Sequence, residues 1–330
     1  MLNLLSAVKL EPTHRNVRQD NSFEKTGHQH MNSFTPNGLI VAHHGISVEV
    51  LFDNGTRRMV RVKRNSGHVV GDSVVVTGEV LKRLPRRTEL QRRDARGGIH
   101  LVAANLDVLG IVVAPQSPGG FIDRAIVAAR SALLQPFLVV NKCDLDGTAE
   151  LLAEMSRLYS GSVPIFPISA AKRSGLAPLE EFLSEGHRGA FIGTTGVGKS
   201  SLLNALCPEI DLKVGSVSDY KSMGRHTTTV STLHALAGGG ELVDTPGFRD
   251  FGLVDITVEE LAEHYPGFED HQNVACKFRN CRHRSEPGCA VLALVEQGHI
   301  QAERYATYME ILKEVESQQA AARSRDWKNN

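Results

Sequence analysis

The sequence predicts a multidomain protein: an N-terminal β-barrel, a central α/β domain and a C-terminal α-helical domain organised by a metal site. Three observations predict it. Short β-branched runs crowd residues 38–84, with Asp53-Asn54-Gly55 as a hairpin turn between two of them. From residue 106 onward, continuous apolar runs alternate with stretches of helical spacing, the pattern of a sheet covered on both faces. Near the end, Cys276, Cys281, His283 and Cys289 form C-x4-C-x-H-x5-C, a spacing that suits tetrahedral Zn²⁺.

Composition bounds the rest. A chain of 330 residues exceeds the usual single domain, and 41% apolar residues is ordinary for a globular protein. No apolar run reaches the length of a membrane span, and no cleavable leader is read at the N-terminus, so a cytoplasmic protein without membrane contact is expected. Five cysteines, an odd number, argue against a disulfide framework. The 37 basic and 37 acidic residues balance, which excludes a globally basic nucleic-acid binder. Their distribution is uneven. Arg57, Arg58, Arg61, Lys63 and Arg64 form one basic cluster, and Lys82, Arg83, Arg86, Arg87, Arg92, Arg93 and Arg96 form another, against only Glu89 and Asp94. Two clusters this close predict an anionic partner.

Taken in order, residues 1–35 are polar and aperiodic and read as a flexible arm. Residues 36–90 hold about five short strands, the size of an oligonucleotide-binding (OB-fold) barrel. An arginine-rich connector follows. Strands are then expected at 106–113 and 136–140, with a helix at 123–134 between them. The second strand ends in Asn141-Lys142-Cys143-Asp144, N-K-x-D. A carboxylate there accepts from both guanine N1–H and the exocyclic amine, a pairing adenine does not offer. Asn141 is expected on the opposite base edge, and the Lys142 stem over the ring. A helix at 149–159 and a strand at 163–168 lead to Ser169-Ala170, where a backbone N–H can meet the guanine carbonyl oxygen.

After a short helix at 178–184 and an apolar strand end, Gly193-Thr194-Thr195-Gly196-Val197-Gly198-Lys199-Ser200 fits G-x-x-x-x-G-K-S at every defined position. Glycines let consecutive N–H groups converge on phosphate oxygens, Lys199 supplies a charge, and the Ser200 hydroxyl can ligate Mg²⁺. Residues 199–206, with Ser201 in the first turn, read as a helix whose N-terminus favours an anion. Gly224-Arg225-His226-Thr227-Thr228-Thr229 precedes a strand at 230–236 and suits a mobile switch. Asp244-Thr245-Pro246-Gly247 is D-x-x-G, in which Asp244 can hold a Mg²⁺-bound water and the Gly247 N–H can sense a γ-phosphate. The nucleotide predicted is GTP. Base-reading motifs precede the phosphate loop, the reverse of the ordinary GTPase order, so the domain is circularly permuted.

In the C-terminal region, residues 257–260 open a helix with a capping-box pattern, and helices are expected at 289–295 and 299–316. A Cys₃His set closes a tetrahedron, so one structural Zn²⁺ is expected there. Lys277, Arg279, Arg282 and Arg284 surround it and can meet phosphates.

The order N-K-C-D, S-A, G-T-T-G-V-G-K-S, G-R-H-T-T-T, D-T-P-G and C-x4-C-x-H-x5-C resembles the RsgA (YjeQ) family of small-ribosomal-subunit-dependent GTPases over residues 36–316. Glu286-Pro287-Gly288-Cys289-Ala290 and Arg304-Tyr305 extend the likeness, while Thr194-Thr195 departs from the more usual Gln-Ser. The resemblance implies a late assembly factor that binds the immature small subunit near its decoding region; 16S rRNA is the expected partner and a monomer the expected state. It also implies slow GTP hydrolysis that the subunit stimulates, with Mg²⁺ accompanying GTP or GDP. Its divisions are a permuted GTPase domain at 91–252, a zinc-knuckle domain at 253–316 and a flexible tail at 317–330. In Ras-like enzymes a Gln just after D-x-x-G orients the attacking water, but Phe248 stands here. His226 is the expected substitute once its segment orders, and Thr228, two residues on, is the expected Mg²⁺ ligand. The competing expectation is an RNA-binding scaffold that senses GTP or GDP with little turnover; an ATPase is disfavoured by Asp144.

Overall fold

The computed structural model describes residues 37–93, 98–115, 117, 120–210, 230–245, 253–269 and 276–329. The predicted N-terminal arm and the predicted first switch, with His226 and Thr228, lie outside the described residues, as do Gly247 and Phe248.

Five antiparallel strands build the N-terminal domain: β1 (Gly38–His43), β2 (Ser47–Phe52), β3 (Arg57–Arg61), β4 (Ser73–Thr77) and β5 (Val80–Arg83). Their order, β3-β2-β1-β4-β5, is that of a partly open five-stranded Greek-key barrel. Alternation places Ile40, Val48, Val50, Val60, Val74 and Val76 in one core. Arg58 Nη2 donates to Gly78 O at 2.8 Å, linking β3 to the β4–β5 turn. The turn after β2 closes as expected, with Gly55 at φ +79° and Phe52 N–H bonded to Thr56 O at 2.8 Å.

The two basic clusters together contain structural and exposed members. The Arg86 side chain is 7% exposed and forms a two-pronged ion pair with the fully buried Asp72, at 2.6 and 2.9 Å. Arg87 pairs with Asp107 and Arg93 with Asp255. Arg61, Lys63 and Arg64 remain exposed. The arginine-rich connector itself folds: β6 (Glu89–Arg93) and β7 (Ile99–Ala104) pair as an antiparallel hairpin that buries Leu90 beneath its charges.

The central domain runs β8 (Val108–Val113), α1 (Phe121–Ser131), β9 (Gln135–Val140), α2 (Thr148–Tyr159), β10 (Ile165–Pro167), α3 (Ala177–Ser184), β11 (Arg188–Ile192), α4 (Lys199–Leu206), β12 (Ser231–Ala235) and β13 (Glu241–Asp244). The sheet order is β10-β9-β8-β11-β13-β12, parallel except for β12. Every residue of β8 is buried, as a central parallel strand requires. The phosphate-loop strand β11 sits between β8, from earlier in the chain, and β13, from later. That is the permutation in three dimensions. Sequence did not reveal that β12 also pairs with β1, at Ala42↔Thr232 and His43↔Ser231, so barrel and central domain share one sheet.

The C-terminal region contributes α5 (Val258–His264), α6 (Ala290–Glu296) and α7 (Ala302–Asn329). The predicted capping box is present: Thr257 Oγ1 accepts from Glu260 N–H while Glu260 Oε2 accepts from Thr257 N–H. These helices do not form a separate core. Tyr265, Phe268, Tyr308, Ile311 and Leu312 belong to the cluster that holds Ile126 and Leu109 of the central domain. Arg130–Glu269 at 2.8 Å and Arg124–Glu314 at 3.1 Å rim that contact. The flexible tail predicted at 317–330 is corrected, since α7 continues to Asn329. The added stretch holds Gln, Ala and Arg with neither Gly nor Pro, so propensity carries the helix past its packed portion. No helix among the described residues is long and apolar enough to cross a membrane.

Candidate nucleotide site and metal centre

The candidate nucleotide site lies at the carboxyl ends of β9, β10, β11 and β13, where a parallel sheet leaves a crevice. The loop leaving β11 follows from its glycines. A Cβ at Gly193 would lie 2.4 Å from Val112 O, and Gly198 caps α4 from the left-handed region at φ +96°. Side chains would block both approaches. Lys199 Nζ arches back over the loop and donates to Gly193 O at 2.7 Å and Thr194 O at 3.0 Å. Thr195, Gly196 and Ser200 are exposed, and Ser201 is half-buried in the first turn of α4.

Asn141 holds the site together in a way sequence reasoning missed. It is 2% exposed; its Nδ2 donates to Val197 O at 2.8 Å, and its Oδ1 accepts from Ala170 N–H at 3.0 Å. One amide therefore ties N-K-C-D, S-A and the phosphate loop together. The Ser169-Ala170 pair, expected to offer a backbone N–H to a base, is engaged within the chain here. The Ala170 N–H donates to Asn141 Oδ1, and the Ser169 N–H to Ser174 O at 2.9 Å. The Ser169 hydroxyl donates to Asp144 Oδ1 at 2.5 Å. That bond holds the Asp144 carboxyl below its ordinary range, so an exposed carboxylate stands ionised at the mouth of the crevice. Lys142 takes a left-handed backbone (φ +69°), and its carbonyl accepts from the Thr148 hydroxyl at 2.8 Å. Strain held by a buried hydroxyl at a loop of this kind is what a binding site stores. The Cys143 thiol donates to Val140 O at 3.3 Å.

Asp244 ends β13, one position beyond the Ala190↔Val243 pair, beside the strand that leads into the phosphate loop. Burial pushes its carboxyl above the usual range, and a cation beside it would reverse that shift.

The metal centre is built locally. The ligand atoms of Cys276, Cys281, His283 and Cys289 all lie within 4.8 Å of one another. His283 Nδ1 sits 3.6 Å from Cys276 Sγ and 3.4 Å from Cys289 Sγ. With Zn–S near ~2.3 Å a tetrahedron has edges near ~3.8 Å, so the donor set fits Zn²⁺. Ala290 N–H points at Cys276 Sγ at 3.3 Å, and Leu292 N–H at Cys289 Sγ at 3.5 Å, at the start of α6. Such N–H groups stabilise thiolate charge. Without a cation, burial pushes the Cys281 thiol up to about 12 and raises Cys289 too, so assembly of the centre requires proton loss. Tyr305 OH donates to His283 O at 2.7 Å and fixes the left-handed turn on which His283 rides. Arg282 and Arg284, expected to meet phosphates, both reach Glu316 on α7; the exposed Lys277 stands over the Phe278 ring at 5.7 Å.

Fold and site together define a circularly permuted P-loop nucleotide-binding protein with a Cys₃His centre. A family model described as RsgA GTPase matches residues 83–254, and one described as 50S ribosome-binding GTPase matches residues 188–322. The small ribosomal subunit biogenesis GTPase RsgA of Azotobacter vinelandii is 40% identical over 84% of this chain and 84% of its own length. Its counterpart in Pseudomonas fluorescens strain SBW25 is 39% identical over 83% and 84%. Among solved structures, YjeQ from Thermotoga maritima matches with a TM-score of 0.69 at 31% identity, covering 85% of this chain and 98% of that one. YloQ, described as a circularly permuted GTPase, matches with a TM-score of 0.64 at 25% identity, covering 88% and 99%. The chain belongs to the RsgA GTPase family, and it is a GTP-hydrolysing enzyme.

Proposed function

We propose that this GTPase acts in maturation of the small ribosomal subunit, binding 16S rRNA through its barrel and zinc-bearing helical domain, as a cytoplasmic monomer. The observation that carries the reading is Asn141, whose single amide joins the base-reading loops to the phosphate loop. One family description names the 50S particle, but it covers only residues 188–322, whereas the relatives named for the small subunit align over 83–84% of the chain.

In this reading Asp144 accepts from the guanine N1–H and amine, and Lys142 covers the ring. Backbone N–H groups of residues 194–201 and the Lys199 ammonium hold the phosphates. Mg²⁺, when bound, neutralises phosphate charge, and Ser200, Thr228 and Asp244 are the residues we assign to hold it or its water. Gly247 senses the γ-phosphate, and His226 orients the attacking water in place of the Gln that Phe248 replaces. Asp144 and Asn141 favour a guanine-specific enzyme over an ATPase, and the intact Lys199 favours an enzyme over a passive scaffold. The Cys₃His centre is structural: its four protein ligands complete the tetrahedron.

Two measurements test this. Co-sedimentation with purified small subunits should be stronger with a non-hydrolysable GTP analogue than with GDP; equal binding in both states contradicts coupling. His226→Ala should abolish subunit-stimulated turnover with GTP affinity near wild type; loss of affinity instead removes His226 from the water-orienting role.

A further inference from the structure

Among the described residues, Phe278, 41% exposed, is the only Phe, Tyr or Trp ring left in solvent. It lies between Cys276 and Cys281 of the metal centre, in an exposed run of Lys277, Phe278, Arg279 and Asn280. A single exposed apolar side chain is ordinary. This one is set apart by how it is held and by what stands beside it. Lys277 N–H donates to Gly288 O at 3.0 Å, and Cys281 N–H donates to Phe278 O at 3.3 Å, so the turn is tied on both sides of the ring. Gly288 is left-handed (φ +74°), and a Cβ there would lie 3.0 Å from Lys277 Cβ, a close approach that favours glycine. With Zn²⁺ joining Cys276 to Cys281, the backbone beneath the ring is set before a partner arrives. A ring with two χ angles then loses little freedom on contact.

The neighbours give the chemistry of the partner. The Lys277 ammonium stands 5.7 Å from the ring centroid. Glu316 engages Arg282 and Arg284, but Lys277 and Arg279 have no carboxylate partner among the described residues. A flat π-face between two such cations suits a ligand that is itself flat and carries phosphate, which is a nucleotide of unpaired RNA. The barrel offers no comparable face. Its one phenylalanine, Phe52, is half-buried with the Arg58 guanidinium over it at 5.5 Å, and its exposed large side chains, Ile46, Met59 and Val80, are not aromatic. We propose that Phe278 is a base-stacking residue: one unpaired base of the ribosomal RNA lies on its ring, and the flanking phosphates meet Lys277 and Arg279. The barrel then contributes charge, and the zinc loop contributes the stack. This rests on the reading that the protein binds RNA of the small subunit, and it names the residue and the kind of contact by which the zinc-bearing domain does so.

Affinity for purified small subunits, measured with the full zinc-loaded chain, tests the proposal. Phe278→Ala and Phe278→Leu should each weaken binding ~10-fold, and Phe278→Tyr should keep it, because stacking needs a ring and not merely an apolar group. Zinc content and GDP affinity should match wild type in all three, which certifies the fold. Lys277→Ala and Arg279→Ala should instead reduce the salt dependence of binding, which Phe278→Leu leaves unchanged. A second arm needs no ribosome. In Phe278→Trp combined with Trp327→Phe, the introduced indole is the sole tryptophan of the chain. Single-stranded oligoadenylate should quench its fluorescence more than an RNA duplex of equal charge does. Wild-type affinity in Phe278→Leu would overturn the proposal and, if Phe278→Ala is impaired, point to an apolar contact with protein. No preferential quenching by the single strand would overturn it as well. Failure of the wild-type chain to bind small subunits would overturn the ribosomal reading instead, and the oligoadenylate arm would then decide the stack.

Discussion

The proposed nucleotide site gathers residues 141–144, 169–170, 193–200 and 244 from the ends of four strands, whereas the metal centre takes its ligands from one run, 276–289. The first needs the whole sheet: Asn141 meets Val197 and Ala170 only because β9, β10 and β11 are held in register by the buried β8. The second needs an ion, since three thiols and an imidazole within 4.8 Å have little else to hold them. The difference teaches where each site is vulnerable. Ion removal should damage one and spare the other, while loss of a single buried amide should do the reverse.

Zinc removal has the largest expected effect. Chelation, or Cys281→Ser, should cost at least ~4 kcal/mol and lower the unfolding midpoint by ~8–16 °C, read by calorimetry. Affinity for GDP should stay near wild type, because no residue of the crevice comes from the zinc loop. A parallel collapse of GDP affinity would break the comparison. Asn141→Ala is the converse. It leaves the Val197 carbonyl and the Ala170 N–H buried without partners, for a loss of ~2–4 kcal/mol, with weakened GDP binding and zinc content unchanged by metal analysis.

Asp144→Asn sharpens the account of the base. It should lower GDP affinity by ~10²-fold and erode the preference over ADP, with little change in the unfolding midpoint, because the carboxylate is exposed and serves the ligand rather than the fold. Its pH dependence has a definite sign. The Ser169 bond depresses the Asp144 pKa, so the ionised, guanine-accepting form persists below the ordinary carboxylate range, and affinity should fall only as pH drops through that depressed value. Ser169→Ala should move this loss to higher pH. The smallest effect is expected at α5, where Thr257→Ala removes a capping box and should cost ~1 kcal/mol by denaturant unfolding, with neither site altered.

Much of this was legible in the sequence because it is encoded locally. Helix α4 and strand β4 fall where glycine, β-branching and periodicity put them, and the four metal ligands sit together as their spacing implies. The parts that were not legible depend on partners distant in the chain. The β12–β1 ladder joins residues roughly two hundred apart in sequence, and nothing in either strand marks its neighbour. Arg86 reads as one more member of a basic cluster until Asp72, the buried group it neutralises, is placed beside it. The hairpin of β6 and β7 is hidden because its charged residues obscure Leu90, its fully buried anchor. Asn141 looks like a base reader in the motif, and only the fold shows its amide engaged by two other loops.

We propose that the crevice hydrolyses GTP and that its turnover waits for the small ribosomal subunit. Phosphate release from GTP, measured with and without purified small subunits and against ATP, tests it most directly. Slow release alone, a large stimulation by the subunit and no comparable release from ATP are expected. Equal release with and without the subunit, or equal use of ATP, would contradict it.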